Sequence, residues 1–246
     1  MNSVRIDINS DLGEGIGYDA QLMPLLSSCN IACGGHYGNK TTISETLKLA
    51  KEFGLNVGAH PSYPDQLNFG RKSMTIDQND LSESIYRQVM VFQEVCLLQG
   101  LAMSHVKLHG ALYNDAAQCD ELASLVLNAL QKTKLEFSLF VPYGSLLAEK
   151  AKSYFQIANE AFIDRTYQRD LSLVNRNHPE ALINDPVKSW TQLYTMVHDQ
   201  KVMTISGEMV PIQVDTFCIH GDSISALESL TYINRRMAEN QIELKL

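Results

Sequence analysis

The sequence is short of the features that decide a protein's class at a glance. It has one Trp, and its five Cys (Cys29, Cys33, Cys96, Cys119 and Cys218) form an odd set without a Cys-x-x-Cys pair. A chain of 246 residues does not need disulfide staples, so these thiols are expected to be reduced and to act mainly as small buried hydrophobes. No run of about 18 apolar residues occurs, which argues against a transmembrane helix. Residues 1–7 lack the apolar core of a signal peptide, and the expected location is the cytoplasm. Cations are scarce, with 20 Lys and Arg against 28 Asp and Glu and a net charge of −8. That balance opposes the broad basic surface that nucleic acids require. A P-loop, a Gly-x-Gly-x-x-Gly following a strand and a Gly-x-Ser-x-Gly elbow are all missing, so the usual nucleotide-binding folds and serine hydrolases have little support. There is no repeat, low-complexity tract or linker-like shift in composition.

What is present is the composition of a globular enzyme, 45% hydrophobic and 20% charged. Strand-like segments near 3–10, 28–32, 56–60, 104–108, 136–141, 155–161 and 214–219 alternate with helix-like ones, an order that implies a parallel α/β fold. At this length the single-domain solution is the α/β barrel, so residues 1–246 are read as one domain. Thr42-Ile43-Ser44-Glu45 reads as a capping box, followed by Ile43, Leu47 and Ala50 on one stripe. Residues 80–98 carry Leu81, Ile85, Val89, Phe92 and Cys96, with Gly100 as the stop. Asp185-Pro186 is an N-cap with Pro at the first helical position, and Ala226, Leu230, Ile233 and Met237 mark the last helix. Residues 61–73 form a Pro/Gly/Asn-rich loop of functional length. A hairpin over 202–212 turns at Ser206-Gly207.

The chemistry-bearing residues follow from strand alternation. Val4, Ile6 and Ile8 fall on one face of the first strand and Asp7, Asn9 and Asp11 on the other. Lys107 and His109 share a face of the fourth strand, as do His220 and Asp222 around the seventh. In parallel α/β folds active residues sit at the carboxyl ends of strands. Those ends supply Asp7, Asn9, Asp11 and Glu14; Asn30, Cys33 and His36; His60, Tyr63, Asp65 and Arg71; Lys107, His109 and Asn114; Glu160, Asp164 and Arg165; His220 and Asp222. His105, His178 and His198 lie off them. Two readings are open for this convergence. Asp11, His36 and His60 would suit Zn²⁺, Mn²⁺ or Fe²⁺, and the same groups would serve as hydrogen-bonded acids and bases without a metal. Gly34-Gly35-His36-Tyr37-Gly38-Asn39-Lys40 looks like an anion cradle running into a helix N-terminus.

Six blocks in order resemble the signatures of the LamB/YcsF family: Asp7-Ile8-Asn9-Ser10-Asp11-Leu12-Gly13-Glu14-Gly15; Asn30-Ile31-Ala32-Cys33-Gly34-Gly35-His36; Gly58-Ala59-His60-Pro61-Ser62-Tyr63-Pro64-Asp65 with Asn68-Phe69-Gly70-Arg71; Val106-Lys107-Leu108-His109-Gly110-Ala111-Leu112-Tyr113-Asn114; Glu160-Ala161-Phe162-Ile163-Asp164-Arg165-Thr166-Tyr167; and Cys218-Ile219-His220-Gly221-Asp222. Tyr37 and Asn39 depart from the family's usual Ala and Asp, and the stretch around Asp170 lacks a customary Gly. The resemblance implies an irregular seven-stranded β/α (TIM-like) barrel, similar to the glycoside hydrolase/deacetylase fold. It also implies ATP-dependent opening of 5-oxoproline to L-glutamate, with 5-oxoprolinase subunits B and C as partners and ATP, carrying Mg²⁺, as co-substrate.

That chemistry needs cations for phosphate, a base and a donor near the developing oxyanion. The expected roles are Lys107 and Arg71 for phosphate or carboxylate, and Asp11 or His109 as base. His36, His60 and His220 would position groups or move protons, and Asp7, Asn9 and Glu14 would hold Mg²⁺ with the nucleotide. Asp164, Arg165 and Asp222 complete the expected binding set. The alternatives are a stand-alone metal-dependent amide or N-acyl-sugar hydrolase on the same barrel, and a non-catalytic binding protein.

Overall fold

The computed structural model describes residues 3–222 and 224–245. Six strands, β1 (Val4–Leu12), β2 (Ser28–Ala32), β3 (Asn56–His60), β4 (Met103–Lys107), β5 (Ser138–Pro142) and β6 (Gln156–Phe162), lie side by side in sequence order, all parallel. The pair β7 (Lys201–Met203) and β8 (Met209–Pro211) forms the expected hairpin apart from them. The next strand, β9 (Thr216–Cys218), pairs with β6 on one side and β1 on the other, which closes a barrel of seven strands. A short β10 (Ile242–Leu244) runs beside the first residues of β1, outside the ring. Three residues centred on Glu243 are too few to show alternation, so no local pattern announces this strand.

The connections are α1 (Asp19–Leu22), α2 (Lys40–Glu52), α3 (Gln78–Leu98), α4 (Gly110–Gln118), α5 (Asp120–Gln131), α6 (Leu146–Ala151), α7 (Pro186–His198) and α8 (Ile224–Glu239). Every stripe residue predicted for the helices after β2 and β3 and for the last helix is buried, where each large side chain contributes about 1.5–3 kcal/mol of transfer free energy. The start of α2 differs from the expected box. Its cap is Asn39, whose side chain accepts from Thr41 N and Thr42 N, while the Thr42 hydroxyl accepts the Asn39 N–H at 2.9 Å. Thr42 is thus the third residue of the helix rather than its cap, and the Asn39 oxygen uses two of the amides that an anion would need. The Gly34 loop is therefore a helix entry, not an anion cradle.

Both faces of β1 are buried from Ile6 onward. Its apolar residues pack in the hydrophobic core, while its polar residues meet side chains from the far strands inside the ring. A barrel interior filled in layers requires side chains to fit from opposite strands. Gly58 on β3 shows how tight this is: a Cβ there would overlap the His105 ring, which is stacked on Phe140 with centroids 4.1 Å apart. Replacing Gly58 by Ala is expected to cost about 1–3 kcal/mol through overpacking. At roughly 2–4 °C per kcal/mol for a domain of this size, the loss will show as a lowered midpoint in thermal denaturation. An unchanged midpoint would refute the close-approach role.

Candidate active site

The interior polar groups form three levels along β1. Asp7 is lowest, about 13 Å below Asp11 at roughly 3.3 Å per residue, and its carboxylate accepts from the Ser28 and Thr216 hydroxyls. Burial raises its pKa despite those bonds. Asn9, one level up, donates to Glu160 Oε1 at 3.0 Å and to Thr216 Oγ1 at 2.7 Å, and accepts from Asn30 at 2.8 Å. Asp11 forms the top level and reaches the cleft. Asp7 and Asn9 meet on the Thr216 hydroxyl below the cleft, whereas Glu14 lines the cleft beside His36, so the expected Mg²⁺ set of Asp7, Asn9 and Glu14 is not assembled. The same alternation that puts residues 7, 9 and 11 on one face also separates them along the barrel axis.

Lys107, on β4, crosses the barrel. Its Nζ lies 3.0 Å from Asp11 Oδ1, 2.9 Å from Glu160 Oε1, 3.3 Å from Asn9 Oδ1 and 3.0 Å from Cys218 Sγ, and 5.2 Å from the centre of the Phe162 ring. Burial alone would lower its pKa, yet Asp11, Cys218 and Glu160 outweigh that and hold it well above the ordinary value. Burial alone would raise Asp11, and His60 and Lys107 bring it well below. The pair is thus fixed as ammonium and carboxylate.

Three histidines gather beside Asp11. His36 and His109 stack with centroids 3.7 Å apart, and His60 meets both edge-on. His36 Nε2 is 3.0 Å from Glu14 Oε1, and its Nδ1 is buried without a hydrogen-bond partner. His60 Nε2 is 3.3 Å from Asp11 Oδ2 and 3.0 Å from His109 Nδ1. Burial lowers the pKa of both His36 and His109, the latter further through His60 and His36. The loop over 61–73 holds this cluster down. Phe69 sits at φ +55°, a conformation uncommon for a bulky residue, and its carbonyl accepts from His109 Nε2 at 3.0 Å. Among the described residues, the candidate ligand sets are Asp11/His60/His109 and Glu14/His36/His109. The expected trio of Asp11, His36 and His60 is replaced, because His36 turns to Glu14.

A cleft of about 1000 Å³ opens over these groups, at the large end of small-molecule sites, which run roughly 300–1000 Å³. Asp11, Glu14, Arg71, Lys107, His109, Glu160, Arg165, His220 and Asp222 all line it. Arg71 pairs with Asp222 at 2.9 Å across the mouth. Arg165 donates to the carbonyls of Ala181 and Val174, so it clasps the long segment after β6. His220 Nδ1 meets Asp164 Oδ2 at 2.8 Å, and this bond holds Asp164 below the ordinary carboxylate range against the effect of burial. The buried thiols stay protonated, with burial pushing Cys33 and Cys96 up to about 12.

His105 lies off the strand ends in the sequence, yet it belongs to the interior network. It stands two residues before Lys107 on the same face, and that spacing is the signal that points to it. Its Nε2 donates to Asn30 Oδ1 at 2.8 Å, its Nδ1 is 2.7 Å from Ser104 Oγ, and burial followed by the Lys107 charge lowers its pKa to about 3. The unfolded His titrates near 6.5, so below about pH 6.5 the unfolded chain binds one proton more than the folded one. Stability therefore falls with falling pH in the window between about 6.5 and 3, by up to about 1.4 kcal/mol per pH unit for this group. In His105→Gln that slope is expected to be shallower by about that amount between pH 6 and 4, read by urea denaturation at stepped pH. An identical slope would refute the buried neutral state.

The LamB/YcsF family profile matches residues 6–246. A Halalkalibacterium halodurans protein, named as the A subunit of 5-oxoprolinase, is 40% identical over 245 residues, covering 97% of this chain and 94% of its own. A Pyrococcus horikoshii protein of the same name is 36% identical over 247 residues, covering 98% and 97%. The lactam utilization protein of Thermus thermophilus has a similar structure, with a TM-score of 0.91 at 33% identity over 98% of this chain and 99% of that one. A family 4 carbohydrate esterase from Streptomyces lividans shares the fold alone, with a TM-score of 0.52 at 8% identity over 100% and 94% of the two chains. With a profile spanning nearly the whole sequence and relatives at this identity over nearly their full length, the chain belongs to the LamB/YcsF family.

Proposed function

We propose that this chain is the A subunit of a 5-oxoprolinase, acting with partner subunits B and C to open the lactam of 5-oxoproline to L-glutamate as ATP is hydrolysed. Its relatives carry that name. The observation that carries the reading is Lys107, an ammonium locked between Asp11 and Glu160 at the floor of a wide cleft, with a carboxylate and imidazole cluster at its side. A five-membered lactam resists water because the nitrogen lone pair is delocalised onto the carbonyl. ATP makes the amide carbon electrophilic by phosphorylating its oxygen. Hydrolysis then needs an activated water and a fixed positive charge near the developing anion.

Lys107 supplies that charge and does not accept a proton, since its partners hold it as ammonium. Asp11, expected as base, is the ion-pair partner of Lys107, with Oδ1 bonded by Asn30 and Lys107 and its pKa held well below the ordinary carboxylate range, which makes it a weak base. His109, the other expected base, has one nitrogen on the Phe69 carbonyl and the other against His60. Glu14 fits the role better. It lines the cleft, and its Oε1 is held in place by His36 Nε2 at 3.0 Å. Arg71, Lys72 and Arg176 line the cleft; in this reading they would meet phosphate, and Mg²⁺ would arrive on the nucleotide.

The test is glutamate and phosphate release from 5-oxoproline and ATP by the complex of this chain with its B and C partners. Glu14→Gln is expected to lower kcat by at least about 100-fold, the usual worth of a general base, with KM little changed. No glutamate from the wild-type complex would sink the proposed reaction. Full activity in Glu14→Gln would sink only the assignment of the base.

A further inference from the structure

His60 and His109 are each tied through one ring nitrogen to a backbone carbonyl: His60 Nδ1 lies 2.8 Å from Lys107 O, and His109 Nε2 lies 3.0 Å from Phe69 O. A carbonyl only accepts, so both of these nitrogens carry protons. In neutral imidazoles the opposite nitrogens then present lone pairs. Those two lone pairs, on His60 Nε2 and His109 Nδ1, face each other at 3.0 Å. Asp11 Oδ2 stands 3.3 Å from the first and Glu14 Oε1 3.5 Å from the second. Lone pairs and carboxylates cannot crowd together like this in a buried site unless a cation lies among them.

An excess proton is the smallest candidate, and the charge balance favours a larger one. Asp11, Glu14 and Glu160 bring three carboxylates to this end of the barrel, and Lys107 is the ammonium they surround. Two negative charges are left over, which a single proton would only halve and a divalent ion would cancel. We propose that Asp11 Oδ2, His60 Nε2 and His109 Nδ1 form a site for a divalent first-row metal ion, with Glu14 beside its open position. The three donors lie within 4.8 Å of one another. Their closest separations, 3.0 and 3.3 Å, fall within the roughly 2.8–3.6 Å expected between neighbouring ligands that lie about 2.0–2.2 Å from an ion. The two carbonyls play the outer-shell part that fixes the tautomer of a metal-binding His. Two imidazoles and a carboxylate suit Zn²⁺, Mn²⁺ or Fe²⁺. The open position faces the cleft, since Asp11, Glu14 and His109 all line it. A bound ion there would acidify a water next to Glu14.

The site is tested on the full-length chain, stripped with chelator, by calorimetric titration with Zn²⁺ and by visible absorption on addition of Co²⁺. One ion per chain is expected, with a Kd below about 1 μM and Co²⁺ bands of a site with nitrogen and oxygen ligands. His109→Ala is expected to weaken binding by at least about 100-fold, and Asp11→Asn, which keeps both imidazoles, by less; circular dichroism verifies that each variant is folded. Absence of saturable uptake and of Co²⁺ bands in the folded wild type would overturn the proposal and leave a shared proton between the two rings, visible as an imidazolium by nitrogen NMR. Undiminished binding in both variants would overturn it as well. None of these readouts uses 5-oxoproline or ATP, so the metal site and the proposed reaction fail separately.

Discussion

Lys107 is a cation that the barrel cannot do without. It is buried almost completely, and an ammonium out of water is costly unless anionic and polar partners surround it. Four groups do so, and they come from three different strands: Asn9 and Asp11 from β1, Glu160 from β6 and Cys218 from β9. Taking the ammonium away would leave Asp11 and Glu160 unbalanced in the interior, so these strands are bound to one another through Lys107 as well as through their backbone ladders. The rest of the interior is arranged around that requirement. Asn30 and His105 fill the next positions on β2 and β4, and Asn9 hands its amide to Glu160 while its oxygen turns to Lys107.

The cleft has two unlike walls. One is the stacked histidines with Glu14, buried and closely packed, pressed down by the loop through the Phe69 carbonyl. The other carries Arg71 and Arg176 against Asp222 and the Asp164 to His220 pair, and is more exposed. Exposed ion pairs are exchanged easily because water screens them, whereas the packed side keeps its geometry. A reaction that needs both a fixed acid–base array and an adaptable grip on anionic groups finds the two on opposite sides of a single opening.

Much of this architecture is legible in the sequence. Alternation places Asp11, Lys107 and His109 correctly toward the interior, and β2 and β3 fall where their apolar runs put them. What alternation does not supply is height along the barrel axis. Asp7 shares a face with Asp11 and still ends up far below the cleft, tied to Ser28 and Thr216. His105 reads as lying off the site because it precedes the strand end, although its face is that of Lys107. The choice of His109 over His36 as neighbour of His60 depends on where the Phe69 carbonyl points, and a left-handed Phe is a tertiary outcome that no local pattern announces. The start of α2 is ambiguous for a simpler reason: Thr42 is a good capping residue, and Asn39, one turn earlier, is another.

The barrel closes late in the chain. β1 is the first strand made, yet its partners include β9 and β10, and the bond from Thr216 to Asp7 spans 209 residues. Until β9 is available, Asn9 and Asp7 lack Thr216, and Lys107 lacks the Cys218 sulfur. The contacts that close the barrel and complete the pairing of its inner surface are therefore ones of very high sequence separation. Such contacts are slow to form, and open sheet edges are sticky while they wait. The polar lining that equips the finished barrel for chemistry is thus also a set of groups whose burial is satisfied only once β9 is in place, which ties the cost of desolvating them to the closure of the ring.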